Sequence, residues 1–469
     1  MPNPAPKPST DPIALIAEVN AGRAPALLQR KFDAMAQDPF VFLRATAMLG
    51  HRAIDLPGLP EAPLGWVCGD LHLQNFGCFR GNNRLVYFDL NDFDEAARLP
   101  VCIDLLRFLG SIHTAAPSLH VARADAKALV TAALDAYAQA LERGKAYWLE
   151  RETATGPIGK LLGQVMMRKR RKLLDARTRI AATRRRIAID GVRYLGVAPA
   201  DPIRPQLAQG LTVLAHSYHD ASFFKPLDYA FRVAGMGSLG IPRYVALVRG
   251  KGSPNRNALI DFKWAAPSSA AAAWPQYPQP DWSSEAARVV AVQDVCQAAS
   301  PAYLCALRLG GQAYVVRELQ PVEDRVNLAH LGGSAGPLCA TLQEMARLSA
   351  YAQLRSAGRR GAAGVDALID FGARIRSRPR PWLEAARAIA AANAQAFATF
   401  RQAWKGRDPR LLTLCEGAGA SAGAVAPERS AAAANPKKAA PKGKTQAARK
   451  AAPSAKAARA PTPLTRSSS

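Results

Sequence analysis

Apolar positions recur along the chain at two spacings, one typical of helices and one typical of strands. Residues 24–53 have the helical spacing in two pieces that break near Asp38-Pro39, because the residue before a proline disfavours helix. Residues 101–150 have the helical spacing almost throughout. The same spacing returns at residues 283–299, 335–357 and 380–404. All these segments are predicted to be helices.

Segments with strand character fall in two groups. The first contains GWVCGDLHLQNFGCF at 65–79 and RLVYFDLNDFD at 84–94, joined by a turn rich in Gly and Asn. Between the groups, residues 167–188 are strongly charged and are expected to form a helix or loop. The second group consists of residues 229–250, 257–265 and 312–320. The mixture predicts an α+β fold.

The charge of the chain favours anionic partners. Its 469 residues include 62 Lys and Arg against 36 Asp and Glu, which gives a formal net charge of +26. Residues 416–469 consist mainly of Ala, Lys, Pro, Gly and Ser, a composition that buries too little apolar area to offset the entropy of ordering. They are predicted to be a disordered basic tail with loose, salt-sensitive contact to nucleic acid. Residues 1–23 begin with a Pro-rich stretch and are also predicted to be disordered.

Cysteine usage and hydropathy predict a cytoplasmic protein. The seven cysteines are widely spaced and form no CxxC, so neither a disulfide scaffold nor a zinc site is expected. The first residues lack the apolar core of a signal peptide, and no apolar run reaches the roughly 18 residues of a membrane span. We therefore expect no contact with a membrane.

The most distinctive stretch is CGDLHLQNFG at residues 68–77. Asp70 and Asn75 stand in the pattern D-x-x-x-x-N, the spacing of a protein-kinase catalytic loop. Phosphoryl transfer needs a carboxylate that orients the acceptor hydroxyl and takes its proton, and Mg²⁺ needs oxygen ligands such as an Asn carbonyl. The spacing therefore predicts Asp70 as catalytic base and Asn75 as a magnesium ligand.

A further magnesium ligand is expected on the hairpin strand that follows. Asp92 precedes FDEA and is the first candidate, with Asp89 as the alternative. Asp104 is predicted to be buried and to brace the catalytic loop through hydrogen bonds. His72 is grouped with the catalytic residues, and bracing the loop is a more natural role for it than that of base or ligand. Alternatively, these acids are ordinary turn residues, since a single D-x-x-x-x-N pattern is common.

A glycine-rich segment, GMGSLG at 235–240, lies between two apolar stretches. Glycines let the backbone turn tightly and present N–H groups to phosphates. A dinucleotide site would need a helix directly afterwards, whereas RYVALV is typical of a strand. The segment is therefore predicted to hold nucleotide phosphates as a kinase loop does, through Gly235, Gly237, Ser238 and Gly240.

Lys263 lies on the next predicted strand, in ALIDFKWA. In kinases, a strand lysine that follows the glycine loop pairs with the α- and β-phosphates and with a helix Glu. Lys263 fits that place, and Glu285 or Asp294 in the following helix is its expected partner. The alternative is an edge-strand lysine that points into solvent.

These motifs resemble a known bacterial family, catalogued as domain of unknown function 2252. GDLHLQNFG and FDLNDFDEA carry the resemblance, which continues in DPFVFLRATA, FRVAGMGSLGIPRYVALVRG, DFKWA and RVVAVQDVCQ and spans most of residues 25–405. The first motif is also similar to the HGDLHxxN loop of aminoglycoside and choline phosphotransferases, so the resemblance implies a kinase-like nucleotide site. The chain departs from the family at Trp264, where an acid is usual, at Ala291, where Glu is frequent, and at Gln353, where His is expected.

The order of the motifs suggests a circular permutation. Kinases place the glycine loop and its lysine before the catalytic loop, whereas this chain places them after it. We expect a two-lobed kinase-like fold in which 24–228 form a helical lobe with the catalytic loop and 229–320 form a β-rich nucleotide lobe. Residues 321–415 would then return to the helical lobe.

Three functions follow from these observations. The first is an ATP- and magnesium-dependent phosphotransferase whose acceptor, a small molecule or a protein, is unknown. The second is a nucleotide-binding pseudokinase that regulates or scaffolds. The third is a nucleic-acid-binding protein that uses the basic segments RKRRK at 168–172 and RRR at 184–186, although no aromatic residues are interleaved with them.

Overall fold

A computed structural model describes residues 11–332 and 335–416. Helices outnumber strands in these residues, and the two are mixed, so the predicted α+β class is confirmed. The earlier helices are α1 (Pro12–Asn20), α2 (Pro25–Met35), α3 (Pro39–Ala45), α4 (Ala47–Arg52), α5 (Cys102–Ala115), α6 (Arg123–Glu142), α7 (Gly156–Met167) and α8 (Arg170–Asp175). The later ones are α9 (Ile203–Ser217), α10 (Ser269–Ala273), α11 (Glu285–Cys296), α12 (Leu328–Leu331), α13 (Ala335–Ser356), α14 (Val365–Ser377), α15 (Arg380–Lys405) and α16 (Pro409–Glu416).

The strands form one large sheet and three short two-stranded pairs within the described residues. The short pairs join β1 (Leu64–Val67) with β4 (Ala97–Pro100), β2 (Phe76–Arg80) with β3 (Val86–Leu90), and β5 (Thr178–Ala181) with β6 (Arg184–Ile187). The large antiparallel sheet contains β7 (Tyr194–Gly196), β8 (Pro226–Arg232), β9 (Arg243–Val248), β10 (Ala258–Trp264), β12 (Gln312–Glu318) and β11 (Cys305–Leu309), in that spatial order.

The helical part of the molecule is built around α5. All but one of its residues are buried, and it packs against α6 and α15. Because β4 leads directly into α5, the first turn of this helix lies beneath the loop between β1 and β2. The fold thereby fixes that loop on a buried helix.

The two faces of the large sheet have different partners, because alternate residues of a strand point to opposite faces. On β10, Ile260 and Phe262 pack with Leu207 and Leu211 of α9. Lys263 therefore points to the other face, toward the hairpin of β2 and β3. This face is the one that meets the helical part.

The break that the sequence predicts at Asp38-Pro39 is confirmed. The Asp38 side chain accepts hydrogen bonds from the backbone N–H groups of Phe40 and Val41, which caps α3 at its amino end. Residues 229–250, predicted as strands, contain the end of β8 and all of β9, with the glycine-rich loop between them.

Two parts of the chain differ from expectation. Residues 12–20, predicted to be disordered, form α1, because Ile13, Leu15 and Ile16 are buried and the Asp11 side chain accepts from the Ile13 N–H group. Residues 167–188 form α8 and the β5–β6 hairpin rather than one charged helix or loop. The predicted disordered tail at 416–469 begins with Glu416, which ends α16, and residues 1–10 and 417–469 lie outside the described residues.

Acids of the protein itself neutralise much of the predicted basic region. Arg168 forms a two-pronged ion pair with Asp324, at 2.6 Å for each oxygen. Arg185 lies 2.6 Å from an Asp175 carboxylate oxygen and is almost fully buried. These arginines stabilise the fold and do not form a free anionic-ligand surface. Among the helices in the described ranges, none is long and apolar enough to cross a membrane.

Candidate functional site

The loop between β1 and β2 carries Asp70 and is tied to α5. The buried Asp104 carboxylate accepts hydrogen bonds from the backbone N–H groups of Cys68 at 2.6 Å and Gly69 at 2.9 Å. Burial raises the pKa of Asp104 to about 7, although these N–H groups act in the opposite direction. The predicted bracing role of Asp104 is confirmed. Gly69 is required beside it, since its φ is +83° and a Cβ would lie 2.1 Å from the Glu95 carbonyl oxygen.

Asp70 is held in place by a buried arginine of α5. The Arg107 Nε donates to the Asp70 Oδ1 at 2.7 Å, and the Arg107 Nη2 donates to the Leu43 carbonyl at 2.6 Å. Burial raises the pKa of Asp70 to about 6 against the lowering effect of Arg107. A carboxylate with a pKa near neutrality and a fixed orientation is suited to accept a proton.

Asn75 and His72 complete the loop. The Asn75 Nδ2 donates to the Asp70 carbonyl at 2.9 Å, which commits the amide nitrogen to the loop and leaves the amide oxygen as a possible metal ligand. The His72 Nδ1 accepts from the Gln74 N–H group at 3.2 Å, and its Nε2 lies 4.0 Å from the Asp70 Oδ2. Burial lowers the pKa of His72 well below its ordinary value, so the ring is neutral and suits the bracing role.

Lys263 reaches across from the large sheet to the end of the hairpin, 171 residues away in sequence. Its Nζ lies 3.5 Å from the Asp92 Oδ1 and also forms an ion pair with Asp94. Burial raises the pKa of Asp92, but Lys263 and neighbouring arginines outweigh it and lower the pKa overall. Lys263 and the predicted metal ligand Asp92 therefore belong to one site. The alternative prediction, an edge-strand lysine that points into solvent, is wrong.

The glycine-rich loop connects two antiparallel strands, β8 and β9, so the helix that a dinucleotide site requires does not follow it. Gly235 and Gly240 have φ values of +82° and +87°, which favour glycine. Two cationic side chains hold the loop in place. The Arg23 Nη1 donates to the Gly237 carbonyl at 2.6 Å, and the buried Lys31 Nζ donates to the same carbonyl at 3.1 Å. Its carbonyl groups are thus directed toward the amino-terminal helices.

A cavity of about 560 Å³ lies between this loop and the loop between β1 and β2. Most of the residues predicted from sequence line it: Asp70, His72, Asn75, Asp92, Gly235, Gly237, Ser238 and Gly240. Lys263 lines a small recess directly beside it, together with Asp92 and Asp94. Sequence reasoning did not include several charged residues of the cavity wall: Arg23, Arg44, Asp94, Glu95 and Arg325.

Glu95 ties the hairpin end to α10. Its Oε2 accepts from the Ser269 backbone N–H at 2.6 Å and from the Ser269 hydroxyl at 2.8 Å. Burial raises the pKa of Glu95 to about 7, with the Ser269 bond acting against it. The FDEA sequence contained this acid, but nothing in its spacing indicated that it would cap a helix.

Two predicted site residues do not join the site. Asp89 is buried away from the cavity, where the Arg355 Nη2 lies 3.0 Å from its Oδ2 and the Ala298 N–H group donates to it. Asp89 is therefore a structural ion-pair partner rather than a reserve metal ligand. Glu285 accepts from the Arg288 Nε at 2.7 Å and does not pair with Lys263.

Asp294 does not pair with Lys263 either, since it accepts from the Ser300 hydroxyl. The residues that α11 presents to the lysine recess are Val289 and Gln293. The partners of Lys263 are therefore the hairpin acids and not a helix acid.

The protein itself covers much of the sheet face that carries Lys263. Asp261, two residues earlier on the same face, lies 2.9 Å from the Arg232 Nη1 and accepts from the Arg243 Nε at 3.0 Å. Farther along, an apolar cluster joins the sheet to α8 and β6: Leu259, Leu247, Val245, Leu174 and Ile187. The room for a ligand on this side of the sheet lies at the end next to the glycine-rich loop.

Residues 23–403 match the family described as uncharacterized protein conserved in bacteria (DUF2252), and the chain belongs to that family. No curated protein and no solved structure matches it.

Proposed function

We propose that this protein is a kinase-like, ATP- and magnesium-dependent phosphotransferase. The observation that carries the proposal is the meeting of Lys263 with Asp92 beside the cavity that Asp70 lines. The lysine comes from the strand after a strand–glycine loop–strand unit, and a helix follows it, which is the order of the kinase nucleotide lobe. Since this unit follows the catalytic loop in sequence, the proposed fold is a circularly permuted kinase-like fold.

The roles of the residues follow from their chemistry. Asp70 would orient the acceptor hydroxyl and take its proton, because its carboxylate is fixed and its pKa lies near 6. Asn75 and Asp92 offer two oxygen ligands, which suits Mg²⁺, an ion that takes its remaining ligands from water and substrate phosphates. Bound Mg²⁺ would neutralise charge on the phosphates. Lys263 and the N–H groups of the glycine-rich loop would position those phosphates.

A nucleotide-binding pseudokinase is the second candidate, and two observations favour it. Lys263 is engaged by two acids, and the sheet face beyond it is filled by Asp261 and its arginines. The adenine base of a nucleotide could not lie on that part of the sheet without displacing Asp261 and its arginines. Binding of nucleotide without turnover would support this candidate over the first.

Calorimetric titration with Mg·ATP tests what both candidates share. We expect saturable binding by the wild-type protein and binding weakened at least about tenfold in Lys263→Met, because a charge-assisted contact to phosphate is lost. Lys127→Met removes the same charge from an exposed position of α6 and is the matched control. Absence of Mg·ATP binding in the wild type, or equal affinities in the two variants, would contradict the proposal.

A further inference from the structure

Two arginines, Arg44 and Arg325, belong to the cavity wall. Arg44 comes from α3, and Arg325 follows β12, so distant segments of the chain bring them to one cavity. Among the described residues, neither guanidinium has a hydrogen bond or an ion pair. The Arg44 Nε is buried and unsatisfied, and its guanidinium rests over the Phe40 ring. Buried polar groups are normally satisfied, so the Arg44 Nε is an exception that a ligand in the cavity would explain.

The two side chains are close enough to affect each other electrostatically. Burial lowers the pKa of Arg44 to about 10, and the positive charge of Arg325 acts in the same direction, whereas Asp70, Asp38 and Asp92 act against it. Burial likewise lowers the pKa of Arg325, with Asp92 acting against it. Two desolvated cations that repel one another are stabilised by an anion placed between them.

The neighbouring charges are already engaged. Asp70 is bonded to Arg107, and Asp92 lies beside Lys263. Other cations around the cavity are likewise committed to the protein, since Arg23 donates to carbonyl groups of the glycine-rich loop. Arg44 and Arg325 differ from the cations beside them because neither guanidinium forms an ion pair or a hydrogen bond within the described residues, although Asp70, Asp38 and Asp92 act on them at longer range. The stem of Arg325 is held in place against Gly77, where a Cβ would lie 3.3 Å from its Cγ.

We propose that Arg44 and Arg325 together bind a phosphate group in this cavity. A guanidinium presents paired N–H donors that match phosphate oxygens, and two of them from different sides would hold the group firmly. The inference rests on the proposed function only for the source of that group, which is either the terminal phosphate of the nucleotide or a phosphate carried by the acceptor. Neither residue belongs to the glycine-rich loop or to the lysine strand.

The experiment compares Arg44→Gln/Arg325→Gln with the wild type by calorimetric titration. The probes are Mg·ATP, Mg·ADP, and inorganic phosphate with and without saturating Mg·ADP. Arg387→Gln/Arg401→Gln loses the same two charges from exposed positions of α15 and is the control. Arg44→Lys/Arg325→Lys retains the charge without the paired donors, and it replaces the Gln variant if that variant does not fold.

The terminal phosphate is the ligand if the wild type binds Mg·ATP at least about tenfold more tightly than Mg·ADP and the Gln variant does not. The acceptor phosphate is the ligand if Mg·ATP binding is unchanged but inorganic phosphate binding is lost. Loss of phosphate binding in the variant supports the inference even if the wild type binds no nucleotide, a result that would contradict the proposed function alone. The inference is overturned if the Gln variant binds every probe as the control does, or if the wild type shows neither phosphate binding nor a preference for Mg·ATP.

Discussion

Replacing Asp104 by Asn tests how the loop between β1 and β2, which carries Asp70, is anchored. The wild-type carboxylate accepts two backbone hydrogen bonds at 2.6 and 2.9 Å in a buried position. An Asn side chain keeps one oxygen acceptor and places an NH₂ group against the other N–H. Relative to the ionised carboxylate, which accepts both bonds, leaving one buried N–H group unsatisfied costs about 1–3 kcal/mol.

A second contribution depends on pH, because burial raises the pKa of Asp104 to about 7 in the folded protein, whereas an ordinary Asp titrates near about 4. The folded state therefore binds the proton more tightly than the unfolded state. The resulting stabilisation is fully present below about pH 4 and is lost as the pH rises through about 7. Asn does not titrate, so the wild-type advantage should grow by about 2–3 kcal/mol from pH 8 to pH 5.

Urea unfolding of both proteins at pH 8 and pH 5 measures this difference. Asp125→Asn, at an exposed position in the first turn of α6, is the control and should show little change at either pH. Since all other titrating groups are common to the wild type and the variant, their effects cancel in the comparison. A difference in unfolding free energy that is constant, or larger at pH 8 than at pH 5, would refute the reasoning.

Three further outcomes are expected. The rate of Mg·ATP turnover should decrease when the pH is lowered past about 6, since the Asp70 base must be deprotonated. Arg107→Met should move this decrease to higher pH, because Arg107 lowers the pKa of Asp70. An unchanged pH dependence would argue against Asp70 as the base. Lys31→Met should speed amide hydrogen exchange in residues 235–240 at least severalfold, because the loop loses a buried anchor, whereas unchanged exchange would show that this anchor does not restrain the loop. Asp261→Asn should lower the unfolding free energy by about 3–5 kcal/mol at neutral pH, since two buried guanidinium groups lose their counter-ion; a variant with the wild-type unfolding free energy in urea would contradict this. Burial raises the pKa of Asp261, but Arg232 and Arg243 outweigh it and lower the pKa overall, so this loss should shrink as the pH falls below about 4.

Local sequence signals were sufficient where the chemistry depends on neighbouring residues. Asp38 before Pro39 predicted the helix break, and GMGSLG between two apolar stretches predicted a loop between strands. Asp104 could be assigned as a brace because it opens a strongly apolar helix, where a carboxylate needs hydrogen-bond donors.

The remaining features depend on contacts that sequence order does not encode. A helix acid was expected opposite Lys263, but the orientation of α11 presents Val289 and Gln293 instead. Arg44 and Arg325 come from remote segments and follow no motif. The helix at residues 12–20 was not predicted, because the stretch before it is rich in Pro. Its buried isoleucines pack it against the rest of the protein.

The most direct test of a single phosphoryl-transfer site is the rate of phosphate release from Mg·ATP by wild-type protein, Asp70→Asn and Asp125→Asn, with potential acceptors supplied. The account predicts turnover by the wild type and by Asp125→Asn. It also predicts that Asp70→Asn binds Mg·ATP but turns it over at least about a hundredfold more slowly, because the base is lost while the phosphate contacts remain. Equal turnover by Asp70→Asn and the wild type would contradict the account.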